Sequence, residues 1–234
     1  MTGDSAGRAL VLLNAHAAGG CAANKWHLVR PIVESTFAAS VVESDDAGLW
    51  KRAVCEALEQ GVTTFVAAGG DGTVNALLNA VAGLRGLRPL SDLTLGAVGL
   101  GSSNDFHKPF RRVERGVPLA IDLGARRMRD VCSANLCERD DASARRSRAF
   151  IVSASVGITA NANATFNDGG RLQSWLKRCS TPAAILYAAT RTIWGHRNIA
   201  ARLTLDGLLH NAAITNLSIL KTAFVSGSFR FDVP

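Results

Sequence analysis

Val62-Thr63-Thr64-Phe65-Val66-Ala67-Ala68-Gly69-Gly70-Asp71-Gly72-Thr73-Val74-Asn75-Ala76-Leu77-Leu78-Asn79 reads as a buried strand, a glycine turn and a helix that opens at once. Thr64 to Ala68 is a short apolar run rich in β-formers, with Gly61 before it and Gly69 after it. Val74, Leu77, Leu78 and Val81 then recur at helical spacing, and Thr73 is the expected N-cap. Three glycines and a carboxylate therefore sit where a parallel strand ends and a helix begins. That junction is where an α/β sheet usually holds a phosphorylated ligand.

The flanking chain repeats the pattern. Ala9 to Leu13 is a strand run ending at Asn14 and Ala18-Gly19-Gly20, followed by a helix with Trp26, Val29, Ile32 and Val33 on one stripe. Phe37 to Val42 is a second strand, and Asp45 and Asp46 can cap a helix over 47–60. Leu93 to Val98 makes a fourth strand, leaving through Gly99-Leu100-Gly101-Ser102-Ser103-Asn104-Asp105-Phe106. This alternation predicts an α/β fold with a parallel, helix-covered sheet from residue 9 to about 120.

After Ile121-Asp122-Leu123 the helical period fades. Short β-like runs follow at 131–136, 149–156, 201–205 and 213–219, with Asp206-Gly207 as a hairpin turn. Glu138 to Arg148 reads as a polar hairpin tip or loop. One helix is expected from Pro182 to Trp194, capped by Thr181. The predicted organisation is an α/β nucleotide-binding domain over 1–122 and a β-rich, sandwich-like domain over 123–234.

Composition narrows the class. With 234 residues, 47% of them hydrophobic, the chain can bury a substantial core. Five cysteines without a Cys-x-x-Cys pair point to cytosolic thiols, not disulfides or zinc. The N-terminus carries Asp4 and lacks an apolar signal region, and no run reaches the ~20 apolar residues of a membrane span. The expected setting is cytoplasmic, with peripheral membrane contact.

Residues 1–125 hold 11 Lys/Arg against 12 Asp/Glu, whereas residues 126–234 hold 15 against 7, so the net +7 resides in the second half. A basic half suits an anionic partner. Nucleic acid is disfavoured, because the basic residues are not interleaved with aromatics and Tyr187 is the only tyrosine. The four tryptophans, Trp175 and Trp194 among them, read as core.

Gly69-Gly70-Asp71-Gly72-Thr73 can form a nest of backbone amides, since side chains at those positions would block phosphate oxygens. Asp71 would repel bare phosphate, so its carboxylate is better suited to a ribose hydroxyl, to Mg²⁺ or to capping the helix. Ser102 and Ser103 can donate to phosphate. Asn104 and Asp105 can reach a purine, a ribose or the neighbouring loop, or cap a helix starting near 105. No Gly-x-x-x-x-Gly-Lys-[Ser/Thr], full dinucleotide fingerprint, His-Glu-x-x-His or Gly-x-Ser-x-Gly is present.

At these loops the sequence resembles the diacylglycerol kinase catalytic-domain family, which includes bacterial soluble lipid kinases and sphingosine and ceramide kinases. The resemblance rests on Val66 to Asn75, on Leu100-Gly101-Ser102-Ser103-Asn104-Asp105-Phe106 with Ser102 in place of Thr, and on Asn14 to Gly20 with Ala15 in place of Pro. Gly99 also replaces a usual Pro. Ile121-Asp122-Leu123-Gly124 and Ala154-Ser155-Val156-Gly157 fall where that family enters and crosses its second domain.

The resemblance implies an ATP- and Mg²⁺-dependent kinase acting on a lipid hydroxyl, such as that of diacylglycerol. By position, it implies that ATP is contacted by Asn14, Ser44, Gly69, Gly70, Asp71, Gly72, Thr73, Val74, Asn75, Ser102, Asn104 and Asp105. Asp71 is the candidate organiser of metal and phosphate. The family's Asp-Gly element for a structural Mg²⁺ and the segment supplying its general base are expected beyond Pro234, with a truncated, catalytically weak nucleotide- or lipid-binding form as the alternative. A NAD or sugar kinase of the wider Gly-Gly-Asp-Gly group is a further alternative. The candidate partners are ATP, a diacylglycerol-like lipid, an anionic membrane and a second copy of the chain in a homodimer.

Overall fold

The computed structural model describes residues 7–138, 141–168, 170–225, 227 and 229–232. Asp4, residues 139 and 140 of the polar stretch, and the final Val233-Pro234 lie outside them. The chain forms two compact units. One runs up to Val152 and resumes at Thr222; the other is Ser153–Lys221.

The first unit is built on strands β1 (Arg8–Leu13), β2 (Ala38–Glu43), β3 (Thr64–Gly69) and β4 (Thr94–Gly99) and helices α1 (Ala22–Thr36), α2 (Ala47–Glu59) and α3 (Asp71–Ala82). Two short strands, β5 (Val113–Glu114) and β6 (Val117–Ala120), complete a six-stranded sheet in the order β2-β1-β3-β4-β6-β5. The first four strands are parallel, and β6 runs antiparallel to β4.

Alternation along each strand divides the core into two layers. Leu10, Leu12, Phe65, Ala67 and Ala97 face Trp50, Val54 and Leu58 of α2 and Leu77, Leu78 and Val81 of α3. Ala9, Val11, Leu13, Val66, Ala68 and Val98 face Trp26, Val29 and Val33 of α1. Complete burial of each Val, Leu or Phe contributes roughly 1.5–3 kcal/mol, so the central strands carry much of the stability. Asp46 caps α2 as expected, accepting from the Gly48 and Leu49 amides at 2.6 and 3.3 Å.

α3 begins earlier than the sequence predicts. Its N-cap is Gly70, not Thr73. The Thr73 and Val74 amides both donate to the Gly70 carbonyl, at 2.9 and 3.2 Å, which draws Thr73 into the first turn and buries it at 4% exposure.

Beyond the sheet, the polar stretch expected to be a hairpin tip or a loop belongs to a hairpin and is largely strand. β7 (Cys132–Glu138) pairs antiparallel with β8 (Asp141–Phe150), setting Ala134 opposite Arg148 and Leu136 opposite Arg146. Asn79 fastens this hairpin to α3 within the first unit. Its amide donates to the Ala149 carbonyl and accepts from the Ala149 amide, both at 2.9 Å, as a neighbouring strand would.

The expected strand over 149–156 divides where the pairing partner changes. β8 ends at Phe150, and β9 (Ser153–Gly157) pairs instead with β12 (Asn216–Leu220). The stretch 213–219 divides likewise, into the end of β11 (Leu208–Ile214) and the start of β12. β10 (Ile199–Leu205) and β11 make a hairpin about Asp206 and Gly207, both at positive φ (49° and 84°), as a two-residue Asp-Gly turn requires. β13 (Phe224–Val225) and β14 (Phe229–Arg230) form a last ladder within the first unit. The fold is thus α/β, with a mostly parallel sheet first and a β-rich part after it.

Among the described residues the second unit also holds three helices, α4 (Ile158–Asp168), α5 (Arg171–Cys179) and α6 (Thr181–Gly195), where one was expected. Ser180, not Thr181, caps α6, its hydroxyl accepting from the Ala183 amide at 3.4 Å. The buried stripe of α6 is Ala184, Ala188 and Thr192, small residues that let its neighbours approach closely. The large apolar residues lie on the other side. Trp194 is 90% exposed and Trp175 59%, which corrects their assignment to the core; Trp26 and Trp50 are buried.

Candidate functional site: a crevice between two glycine loops

The strand order places the site. β1 is followed by α1 on one face of the sheet, and β3 by α3 on the other, so their exits diverge at the carboxyl edge. A doubly wound sheet binds ligands in the crevice at such a reversal. Asn14 leaves β1 on one side of it, and Gly69-Gly70-Asp71 leave β3 on the other. Backbone bonds tie neighbouring exits together: Asn14 N–H to Ala68 O at 2.9 Å, Ser44 N–H to Leu13 O at 3.0 Å and Leu100 N–H to Gly69 O at 2.8 Å.

At Gly69 and Gly101 the two loops are packed too tightly for side chains. A Cβ on Gly69 would lie 2.1 Å from Thr73 Oγ1, and one on Gly101 would lie 2.5 Å from Gly70 Cα. The two glycine loops therefore touch backbone to backbone. The Asp71 and Gly72 amides belong to the first turn of α3 and have no intrahelical acceptor, which suits them to an anion. Gly72 and Asn75 are exposed, while Val74 is 4% exposed and packs in the core.

Asp71 has a defined partner. Its Oδ2 accepts from the Asp105 amide at 3.0 Å and its Oδ1 from the Phe106 amide at 2.9 Å. The carboxylate thus holds the second loop against the first. Its sequence position suggests a ribose or metal ligand or a helix cap; the partner found among the described residues is the neighbouring loop.

Asn104 also serves the loop. It is buried at 8% exposure in a left-handed conformation with φ of 51°. Its Oδ1 accepts from the Gly101 amide, and its Nδ2 donates to the Gly99 and Gly101 carbonyls, each at 3.1 Å. The helix expected near residue 105 is a single 3-10 turn over Asp105–His107, and the Asn104 side chain does not cap it. Ser102 is exposed at the loop tip. The Asn14 side chain accepts from the His16 amide at 3.1 Å, and Ser44 Oγ accepts from the Asp46 amide at 2.9 Å. Asn14, Ser44, the first loop and Ser102 therefore share one sheet edge, while Thr73, Val74 and Asn104 support it from within.

Two residues with no role read from the sequence matter here. Lys108 and Asp105 form an ion pair at 2.8 Å with both side chains only 8% exposed. The pair is only three residues apart, but the Gly227 amide and carbonyl that complete it come from far along the chain, so no local pattern announces the whole. His107 is buried, and neither ring nitrogen makes a hydrogen bond of normal geometry. Burial pushes its pKa below the usual 6.5, against the opposing pull of the Ala97 carbonyl and the Asp71 charge.

A histidine with a depressed folded pKa binds its proton more readily unfolded. Stability should therefore be complete above pH 6.5 and decline as pH falls from there towards the folded pKa, by up to about 1.4 kcal/mol per pH unit. Urea unfolding at pH 7.5 and 5.5 should show this loss, and His107→Phe should reduce it. An unchanged pH profile in the variant would place the loss elsewhere.

A doubly wound sheet with a glycine-amide crevice at its reversal is the arrangement in which α/β proteins usually hold phosphorylated ligands. The model of the diacylglycerol kinase catalytic domain matches residues 8–133. The chain belongs to that family. It is 48% identical over 56 residues to "Probable lipid kinase YegS-like" from Cronobacter sakazakii, a match spanning 24% of this chain and 17% of that protein. Crystal structures of proteins named as diacylglycerol kinases from Bacillus anthracis strain Sterne superpose with TM-scores of 0.63 and 0.55. Each is 18% identical, over 100% of this chain and 70% of the other. At that identity the likeness is one of fold. Among the described residues no helix is long and apolar enough to cross a membrane.

Proposed function

We propose that this chain forms the ATP-binding part of a lipid kinase that transfers the γ-phosphoryl group to a hydroxyl of a diacylglycerol-like lipid. The observation that carries the reading is Asp71 bridging the two glycine loops at the crevice. Phosphoryl transfer needs positioning and charge stabilisation more than covalent chemistry from the protein. Free amides at the start of α3 would hold the phosphates, and the exposed Ser102 hydroxyl would donate from the second loop. Asn14 and Ser44 would line the opposite bank of the crevice. Residues after 122 are assigned to the lipid, with their basic excess favouring an anionic membrane surface.

Mg²⁺ supplies charge neutralisation in such a reaction when it is bound. Both Asp71 oxygens already accept backbone amides, and no cluster of three or more His, Cys, Asp or Glu side chains among the described residues could cage an ion. The ion would therefore be held by the nucleotide phosphates and water. No general base is assigned among the described residues.

Calorimetric titration with Mg·ATP, and transfer of labelled γ-phosphate to diacylglycerol in mixed micelles, test the two halves separately. ATP binding and labelled phosphatidic acid are expected, with NAD neither phosphorylated nor competing as acceptor. Failure to bind ATP would overturn the whole reading. Binding without transfer would overturn the catalytic half and leave a nucleotide-binding protein.

A further inference from the structure

Immediately after the second loop, the chain lines a cavity that the candidate nucleotide residues do not reach. Its volume is about 440 Å³, within the ~300–1,000 Å³ usual for small-molecule sites. Leu78, Val81, Leu95, Leu119, Ile121 and Ile151 give it apolar walls. Asn14, Ser44, Gly69 to Asn75 and Ser102 are all absent from its lining. The cavity and the phosphate crevice are separate places on the first unit.

Its polar groups are strongly biased. Arg111, Arg112, Arg126, Arg127 and Arg129 line it, and all five are exposed. Arg112 pairs with Glu114 at 3.1 Å, and Arg126 Nε donates to the Leu123 carbonyl at 2.8 Å. Arg111, Arg127 and Arg129 have no carboxylate partner among the described residues. The acidic lining residue is Asp122, whose Oδ1 accepts from the Gly124 amide at 2.8 Å.

His107 supplies the second observation. It lines the same cavity at 9% exposure, with both ring nitrogens lacking a hydrogen bond of normal geometry. A buried polar group left unsatisfied costs free energy, so an incoming polar atom there would recover it. Burial keeps the ring neutral, and with the Ala97 carbonyl drawing its N–H the other nitrogen is left as an acceptor.

Apolar walls and a mouth of guanidinium groups match a molecule with the same division. We propose that this cavity binds one acidic amphiphile, with its alkyl chain inside and its phosphate monoester head at the arginines. Guanidinium groups bind phosphate bidentately, which a lysine mouth could not do. Concave walls favour a single inserted molecule over a flat membrane contact. Arg126, Arg127, Arg129, Val131 and Ile151 fall among the residues assigned above to the lipid, but none of the lining is assigned to ATP, so binding here stands or falls apart from nucleotide binding.

The test is calorimetry of the full chain with dodecyl phosphate below its micelle-forming concentration, alongside inorganic phosphate alone and n-dodecanol alone. Dodecyl phosphate should bind one to one, and each isolated half at least tenfold more weakly. Arg126→Glu with Arg127→Glu and Arg129→Glu should weaken it at least tenfold. Val131→Trp places bulk in the cavity at a half-exposed lining residue and should weaken binding similarly without changing charge. Unchanged melting temperatures exclude misfolding as the cause. Equal affinity in both variants would overturn the proposal, as would phosphate alone binding as well as the whole molecule. Flotation with phosphatidic acid vesicles without uptake of the monomer would also overturn it, showing a surface patch instead.

Discussion

Gly72→Ala should lower ATP affinity at least tenfold while leaving the fold as stable as before, or about 0.5 kcal/mol more stable. The free chain has no objection to the substitution: a Cβ at residue 72 meets nothing within 4 Å, and its φ lies outside the left-handed region. In the first turn of α3 alanine is the better helix former. A glycine where the chain has room for a side chain leaves its amide open to close approach by a ligand. Gly101→Ala should fail in the opposite manner. Its Cβ would lie 2.5 Å from Gly70 Cα and 3.1 Å from Asn104 Oδ1, so backbone must move, at a cost of about 1–3 kcal/mol. Both variants should lose ATP, and only Gly101→Ala should lose stability. Chemical unfolding beside nucleotide titration separates them. Full ATP affinity in Gly72→Ala would mean that no phosphate approaches that amide.

The contrast also marks what a linear reading can reach. The glycine strings announce close approach, because an absent side chain is visible in sequence wherever it occurs. β1, β3 and β4 were equally plain, each a continuous apolar run buried on both faces. What remained hidden depends on partners distant in the chain. The two amides held by Asp71 lie 34 and 35 residues away, so its carboxylate reads equally well as a metal ligand or a cap until the sheet brings the exits together.

β8 has little apolar content over 141–148 and owes its extended state to pairing with β7, not to its own pattern. α4 is rich in Asn, Thr and Ala, which give weak periodicity, and packing against α6 secures it. α6 misleads differently. Its large apolar residues suggest a buried face, but the contact uses Ala184 and Ala188, where small size matters more than hydrophobicity.

Lys108→Met should destabilise the chain by about 3–5 kcal/mol, the range for breaking one side of a buried ion pair. The Lys108 ammonium is 2.8 Å from Asp105 Oδ1 and also donates to the Gly227 carbonyl. The Gly227 amide returns to Asp105 at 3.1 and 3.3 Å, closing a ring of contacts between the second loop and the segment that comes back at Thr222. The Phe110 and Phe224 rings lie 5.9 and 5.8 Å from the ammonium, adding cation–π attraction in a place with little water. Methionine fills similar volume but leaves the Asp105 carboxylate buried with one amide donor. Since the Asp105 amide is bound to Asp71, loosening this residue should reach the first glycine loop and weaken ATP binding as well. Lys108→Arg keeps the charge and should lose less. Adding Asp105→Asn to Lys108→Met removes the stranded charge and should restore part of the stability, a coupling that a double-mutant cycle reads directly. Faster hydrogen exchange at the Gly227 amide in Lys108→Met would show the returning segment released. A loss below about 1 kcal/mol with unchanged exchange would mean that Lys108 does not hold it.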